Sequence, residues 1–91
     1  MKFKVVVVDD HTLLSQAISG LVNSFEQFYT LYTCKNGQEL IDQLEKENPH
    51  PDVILMDINM HIMNGIEATK YLKENYKEIK VVALSIEEEE K

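Results

Sequence analysis

The sequence predicts an α/β fold built on a parallel β-sheet. Three short runs, residues 5–8, 53–56 and 81–84, are apolar without polar alternation and rich in β-branched side chains. Such runs are typical of strands that are buried on both faces, as in parallel sheets. Segments with apolar residues at helical spacing lie between the strands, so strand and helix alternate along the chain. This alternation predicts a layered sheet with right-handed βαβ crossovers.

The elements of the first half follow in order from the N-terminus. After the strand at residues 5–8, a helix begins near His11 or Thr12 and carries apolar residues at helical spacing as far as Phe25. Residues 28–33 mix aromatic, aliphatic and hydroxyl side chains. This mixture predicts a second strand that is less deeply buried and lies at an edge of the sheet.

The second half repeats the pattern. Asn36 and Glu39 form a capping-box variant that opens a second helix, and the prolines within residues 49–51 end it. The strand at residues 53–56 follows. A third helix is expected to begin near residues 64–65, with its apolar side formed by Ile66, Thr69, Leu72 and Tyr76. The last strand and a run of charged residues complete the chain.

Length and charge exclude several classes of protein. The 91 residues allow one small domain, and 44% hydrophobic residues are enough for it to fold. The net charge of −7 argues against direct nucleic-acid binding, because phosphate contacts need clustered basic side chains. Asp9 and Asp10 stop the first apolar run, so we expect neither a signal peptide nor a membrane span. The single cysteine, Cys34, cannot form an internal disulfide, and we expect a cytoplasmic protein.

Polar residues follow each buried run. Asp9 and Asp10 follow the first strand, Asp57 ends the central strand, and Ser85 ends the last. Because the carboxyl ends of parallel strands share one edge of the sheet, we expect these side chains to converge on one shallow site. Three carboxylates repel one another, and their oxygen atoms suit Mg²⁺ together with a phosphate. Asp57 would then be a nucleophile toward phosphorus, and Ser85 would hydrogen-bond a phosphoryl oxygen.

Three motifs give the chain a resemblance to the receiver domains of bacterial two-component response regulators. Residues 5–11 resemble the first strand and acidic pair of that family. Residues 56–69 resemble its phosphoacceptor strand and following loop, and residues 81–85 resemble the strand that bears the switch hydroxyl. The resemblance covers nearly the whole chain. The opening Asp-Asp-His is further similar to the subfamily whose receivers precede a helix-turn-helix output domain.

The resemblance implies a role for each site residue. Asp57 would accept a phosphoryl group from a sensor histidine kinase. Asp10, Asp57 and the backbone carbonyl of Asn59 would bind Mg²⁺ directly, and Asp9 would bind it through water. Ser85 would be the switch hydroxyl that moves toward the phosphate. The output domain, expected to regulate transcription, would lie outside these residues.

The resemblance also implies a flavodoxin-like sheet with strand order 2-1-3-4 and β-α-β-α-β-α-β connectivity. Residues 1–91 are interpreted as a receiver domain that is truncated after the fourth strand, with the last helix, strand and helix missing. This chain has His61 where the family usually has proline, which should loosen the turn after Asp57. Residues 81–84 would form an exposed apolar edge. We therefore expect self-association through this strand or the uncovered face, or poor folding.

Alternative functions use the same residues. A Mg²⁺-dependent phosphohydrolase with an aspartyl nucleophile usually needs an acid two positions later, where this chain has Asn59. A phosphorylation-independent scaffold fits the same sequence, whereas a flavin phosphate would be repelled by the acidic strand ends. The histidines and Cys34 lack zinc-ligand spacing, and Ile62 replaces the glycine of a calcium-binding EF-hand loop. The preferred interpretation is a signalling module that is not an enzyme.

Overall fold

The computed structural model, described for residues 2–46, 49–57 and 65–84, contains four parallel strands and three helices. The sheet order is β2-β1-β3-β4, which confirms the predicted fold and the strand order 2-1-3-4. The elements are β1 (Phe3–Val8), α1 (Thr12–Asn23), β2 (Phe28–Cys34), α2 (Gly37–Leu44), β3 (Val53–Asp57), α3 (Gly65–Asn75) and β4 (Lys80–Leu84). None of these three helices is long and apolar enough to cross a membrane.

The main core lies between the sheet and the two helices α2 and α3. Successive residues of a strand point to opposite faces, so every second residue of β1 and β3 faces these helices. The resulting cluster of buried side chains comprises Val6, Val8, Cys34, Leu40, Leu44, Ile54, Met56, Ala68 and Leu72. Burial of β1 on both faces explains why residues 5–8 are apolar without alternation.

Asp52 joins three strands at their N-terminal ends. Its Oδ2 atom accepts a hydrogen bond of 2.8 Å from the Lys4 backbone N–H, and its own N–H donates to the Lys4 carbonyl at 2.8 Å. Its carbonyl accepts a 3.1 Å bond from the Lys80 N–H. The register that accompanies these bonds pairs Val8 with Met56, so β1 and β3 end side by side.

The capping box of α2 forms nearly as predicted. Asn36 Oδ1 accepts a 2.8 Å hydrogen bond from the Glu39 N–H. The reciprocal bond runs from the N–H of Lys35, the residue before the cap, to Glu39 Oε1 at 2.9 Å. This pair satisfies two N–H groups at the start of the helix, and α2 therefore begins at a defined residue.

The prediction of the apolar side of α3 was wrong in part. Ile66 is exposed, and the helix is buried through Gly65, Ala68 and Leu72. Helical spacing gives the period of the buried side but not its phase, and small residues let the helix backbone come close to its neighbours.

Gly20 lies inside α1 with open space around it. Apart from the helix's own backbone and the two neighbouring residues, no heavy atom in the described part of the chain lies within 4 Å of a Cβ atom built at this position. Glycine in a helix interior costs about 0.5–1 kcal/mol relative to alanine, because its unfolded backbone has more freedom. We therefore expect Gly20→Ala to raise the free energy of unfolding by about 0.5–1 kcal/mol in urea denaturation of dilute protein. A loss of stability would show that this position needs glycine within the fold.

Candidate functional site

Acidic side chains meet where β1 and β3 end. Because Val8 pairs with Met56, the next residues on the two strands, Asp9 and Asp57, are neighbours. Asp10 follows in the loop that leads into α1, and His11 precedes that helix. One ligand atom from each of Asp9, Asp10, His11 and Asp57 lies within 4.8 Å of the other three. We refer to these four residues as the acidic cluster.

Burial makes the charges of the acidic cluster interact strongly. Asp9 is 3% exposed and Asp57 is 8% exposed. Carboxylates at this separation repel one another, and the repulsion grows as water is excluded. A cation placed among their oxygen atoms would reverse the sign of this interaction. The cluster therefore has the charge and the donor atoms of a site for a hard divalent cation.

One oxygen of Asp10 is buried without a hydrogen bond in the described part of the chain. This Oδ1 atom is shielded from solvent. The Nδ1 atom of His11 lies 3.1 Å away, but the geometry does not form a hydrogen bond. A buried carboxylate oxygen without a donor is costly unless a cation or a proton binds it.

Asp9 fixes the position of His11 within the acidic cluster. The Asp9 Oδ1 atom accepts a 2.8 Å hydrogen bond from the His11 backbone N–H and lies 3.1 Å from the ring Nδ1 atom. The hydrogen bond to Asp9 raises the pKa of His11 above its ordinary value of 6.5, and the charges of Asp10 and Asp9 raise it further. The imidazole is largely exposed. At mildly acidic pH the His11 side chain is therefore protonated and adds a positive charge to the acidic cluster.

The raised pKa of His11 leads to a pH-dependent contribution to stability. Protonated His11 stabilises the folded state. This stabilisation is complete below pH 6.5, the pKa of the histidine in the unfolded chain, and is lost as pH rises through the higher pKa of His11 in the folded chain. We expect His11→Asn to be less stable than the unsubstituted chain at pH 5 and equally stable at pH 9. NMR titration of metal-free protein should place the His11 pKa above 6.5, and Asp9→Asn should lower it. A His11 pKa at or below 6.5 in the folded protein would contradict this.

Comparison with known proteins identifies the family. Residues 5–91 match the response regulator receiver domain. The chain belongs to this family. The receiver is 38% identical over 89 residues to the transcriptional regulatory protein DegU of Brevibacillus brevis, covering 98% of the receiver and 37% of that protein. It is 33% identical over 87 residues to the response regulator GacA of Pseudomonas syringae pv. syringae, covering 96% and 40%.

Other relatives extend the comparison. The crystal structure of the response regulator domain of Thermotoga maritima CheB matches with a TM-score of 0.81 and 30% identity, covering 93% of the receiver and 61% of that chain. A protein-glutamate methylesterase/protein-glutamine glutaminase of Clostridium acetobutylicum is 38% identical over 84 residues, which are 92% of the receiver and 24% of the enzyme. The receiver thus spans less than half of the curated relatives that it matches.

The structure brings together part of the predicted site. Asp9, Asp10 and Asp57 converge at one sheet edge, as the order of the strands required. Asn59 and Ser85 lie outside the described residues of the receiver, as does His61. Sequence reasoning treated His11 chiefly as the start of a helix, whereas its ring contacts both neighbouring carboxylates. The position of His11 directly after two aspartates was the sequence feature that could have indicated a place in the site. The direction of its side chain, however, depends on the fold.

Proposed function

We propose that this receiver is a phosphoacceptor module in which Asp57 takes a phosphoryl group from a sensor histidine kinase in the presence of Mg²⁺. The observation that carries the proposal is the convergence of Asp57 with Asp9 and Asp10 within 4.8 Å at the carboxyl edge of the sheet. The name of one relative, the transcriptional regulatory protein DegU, supports an output in transcription. Phosphorylation would regulate an output domain outside residues 1–91, in the cytoplasm.

Asp57 is suited to be the nucleophile. It ends β3, where pairing with β1 and β4 on either side fixes the backbone. A carboxylate oxygen of Asp57 attacks the phosphorus of a phosphohistidine, and the new O–P bond forms as the P–N bond breaks. The imidazole of the kinase keeps the electron pair of the broken bond. The product is an acyl phosphate on Asp57.

The remaining residues hold the cation and the phosphoryl group. Asp10 and Asp57 would bind Mg²⁺ directly with the carbonyl of Asn59, and Asp9 would bind through water. The buried Oδ1 atom of Asp10, which has no hydrogen-bond partner in the described part of the chain, fits this assignment. Bound Mg²⁺ would offset negative charge on the phosphoryl oxygens. The Ser85 hydroxyl would donate a hydrogen bond to the phosphoryl group. This bond would shift the equilibrium between two conformations of the receiver surface.

Mg²⁺ titration with mass spectrometry tests the proposal. A small-molecule phosphodonor should add one phosphoryl group to the chain in Mg²⁺ and none in the presence of a chelator. Asp10→Asn should weaken Mg²⁺ binding about 10- to 100-fold, because it removes the charge of a direct ligand. Asp42→Asn, on the exposed side of α2, is the matched control and should leave Mg²⁺ binding unchanged. Phosphorylation that proceeds equally well without Mg²⁺ and in Asp10→Asn would contradict the assignment of Asp10 as a Mg²⁺ ligand of the phosphorylation site.

We infer that the chain turns over no substrate of its own. Its methylesterase relative is an enzyme, but the chain aligns with 24% of that protein. A phosphohydrolase of this kind usually has an acidic residue two positions after its nucleophile, where this chain has Asn59, which cannot act as a carboxylic acid. Measurable hydrolysis of a chromogenic phosphate ester, lost in Asp57→Asn, would favour the hydrolase instead. Mg²⁺-independent kinase binding without phosphorylation would favour a scaffold.

A further inference from the structure

The strand β2 lies at one edge of the sheet. Among the described residues it pairs with β1 alone, so its other side carries backbone groups that no neighbouring strand uses. In the flavodoxin-like strand order 2-1-3-4-5 a further strand would lie beside β4, which leaves β2 at the edge. We call the side of β2 that faces away from β1 the β2 edge.

The sequence of β2 suits this edge to pairing with another strand. The strand, Phe28–Cys34, contains no charged residue, no proline and no glycine, and it consists mostly of aromatic residues and threonine, which have high β-propensity. Segments of this kind pair with identical segments of other molecules when their edges are exposed. The nearest charged residues, Glu26 and Lys35, lie outside the strand. Protection of the β2 edge within the strand must therefore come from backbone geometry or from neighbouring side chains.

A β-bulge interrupts the regular pairing in the middle of β2. Thr30 pairs with Val5 and Tyr32 pairs with Val6, so Leu31 has no partner in β1. A bulge bends its strand and increases the local twist, and bulges at sheet edges hinder the pairing of a further strand. The β2 edge is therefore irregular at Leu31.

The hydrogen bonds at the two ends of β2 show the same interruption. The Phe3 N–H donates to the Gln27 carbonyl at 2.7 Å, and the Asp9 N–H donates to the Cys34 carbonyl at 3.0 Å. The backbone groups of a regular strand alternate between its two sides, so two carbonyls that face the same neighbour lie an even number of residues apart. Residues 27 and 34 lie an odd number apart, because the bulge adds one residue between them.

The side chain of Asn23 binds the backbone donor beside the bulge. Its Oδ1 atom accepts a 2.7 Å hydrogen bond from the Thr30 N–H. The Thr30 hydroxyl donates to the Ser19 carbonyl at 3.3 Å. Ser19 and Asn23 lie one helical turn apart on the same side of α1, so the end of this helix holds Thr30 through two contacts. Because the Thr30 N–H bonds Asn23 and not β1, it belongs to the β2 edge, and it is already occupied.

We propose that Asn23 and the bulge at Leu31 form an edge guard, which keeps the β2 edge from pairing with β2 of a second copy of the chain. The bulge removes the regular spacing that a second strand needs, and Asn23 uses the donor next to the bulge. The edge guard works without charge: α1 and β2 contain no charged side chain, although 27% of the whole sequence is charged. The inference is independent of the chemistry proposed for Asp57.

The position of Asn23 makes the edge guard sensitive to local opening. Asn23 is the last residue of α1, and the ends of helices open more readily than their interiors. Opening of this turn releases the Thr30 N–H and exposes the β2 edge. Loss of the edge guard should therefore be measurable at the Thr30 amide itself as well as in self-association of the chain.

Hydrogen exchange followed by NMR tests the contact between Asn23 and Thr30. Asn23→Ala should speed exchange of the Thr30 amide about three- to tenfold, because one hydrogen bond is lost. Asn23→Asp keeps an oxygen acceptor at the same place and should keep the slow exchange. The matched control is Asn75→Ala, since Asn75 is the last residue of α3 and its side chain donates to the Tyr71 carbonyl of its own helix. This control should leave exchange at Thr30 unchanged.

Light scattering followed over time tests whether the β2 edge is what becomes exposed. Asn23→Ala should raise the initial rate of self-association at least about threefold over both the unsubstituted chain and Asn75→Ala. Adding Thr33→Lys, at an exposed position of β2, should remove the increase, because lysine on an edge strand opposes pairing. Adding Val82→Lys instead makes the same charge change on β4 and should leave the increase in place. Far-UV circular dichroism should be the same for all variants.

Several results would overturn the proposal. Unchanged exchange at Thr30 in Asn23→Ala would show that the side chain does not protect this edge. An unchanged rate of self-association would show that the bulge alone is sufficient. An equal increase in Asn75→Ala would indicate a general loss of stability. Suppression of the increase by Val82→Lys but not by Thr33→Lys would assign the pairing to the edge of β4.

Discussion

Replacing Asp57 with asparagine should abolish phosphorylation of the chain by a small-molecule phosphodonor in Mg²⁺. The amide that replaces the carboxylate carries no negative charge and is not a nucleophile toward phosphorus, so we expect the rate to fall at least about 100-fold. The substitution is nearly isosteric at a position that is mostly buried, and the fold should be kept. Intact-mass spectrometry against time measures the phosphorylated fraction directly.

Two controls make the Asp57 result specific. Asp42→Asn makes the same chemical change on an exposed position of α2 and should be phosphorylated at the original rate. Far-UV circular dichroism of Asp57→Asn should match that of the unsubstituted chain. A phosphoryl group that persists in folded Asp57→Asn would place the acceptor on another side chain, and the acidic cluster would then have only a binding role.

The sheet and the acidic edge were the parts that the sequence could predict. Residues 5–8 are apolar without alternation because β1 is covered on both faces, and this burial leaves a direct signal in composition. In β3, Ile54 and Met56 are fully buried, whereas Val53 and Leu55 are partly buried. Aspartates at the ends of these runs must then meet at one edge, since parallel strands share their direction. Asp9 and Asp57 could therefore be placed together from connectivity alone.

The helix surfaces were predicted less well, for a physical reason. Apolar residues at helical spacing run along α1 as far as Phe25, yet Leu21 is 61% exposed and Phe25 is 52% exposed. Spacing shows that a side of a helix is apolar, but what covers that side depends on the neighbouring surfaces. His11 illustrates the same limit, because its position between two carboxylates depends on the turn that starts α1.

Replacing Leu72 with alanine should have the largest effect on stability. Leu72 is fully buried, with 0% exposure, in the core where α3 packs beside Ile54 and Met56. Removing such a side chain loses its transfer free energy and leaves a cavity, at a cost of about 2–5 kcal/mol. A domain of this length has a total stability of about 5–14 kcal/mol, so the loss is a large fraction. Urea denaturation of dilute protein measures it.

Leu13 provides the matched control for Leu72, because the same substitution is made on a side chain that is 82% exposed. Leu13→Ala should change the free energy of unfolding by less than about 0.5 kcal/mol. Leu72 lies on the helix that packs under Met56, the residue before Asp57, so Leu72→Ala should also weaken Mg²⁺ binding in proportion to the fraction unfolded. If Leu72→Ala left the stability unchanged, α3 would not be packed against β3 in solution. The backbone position of Asp57 would then depend on β1 and β4 alone.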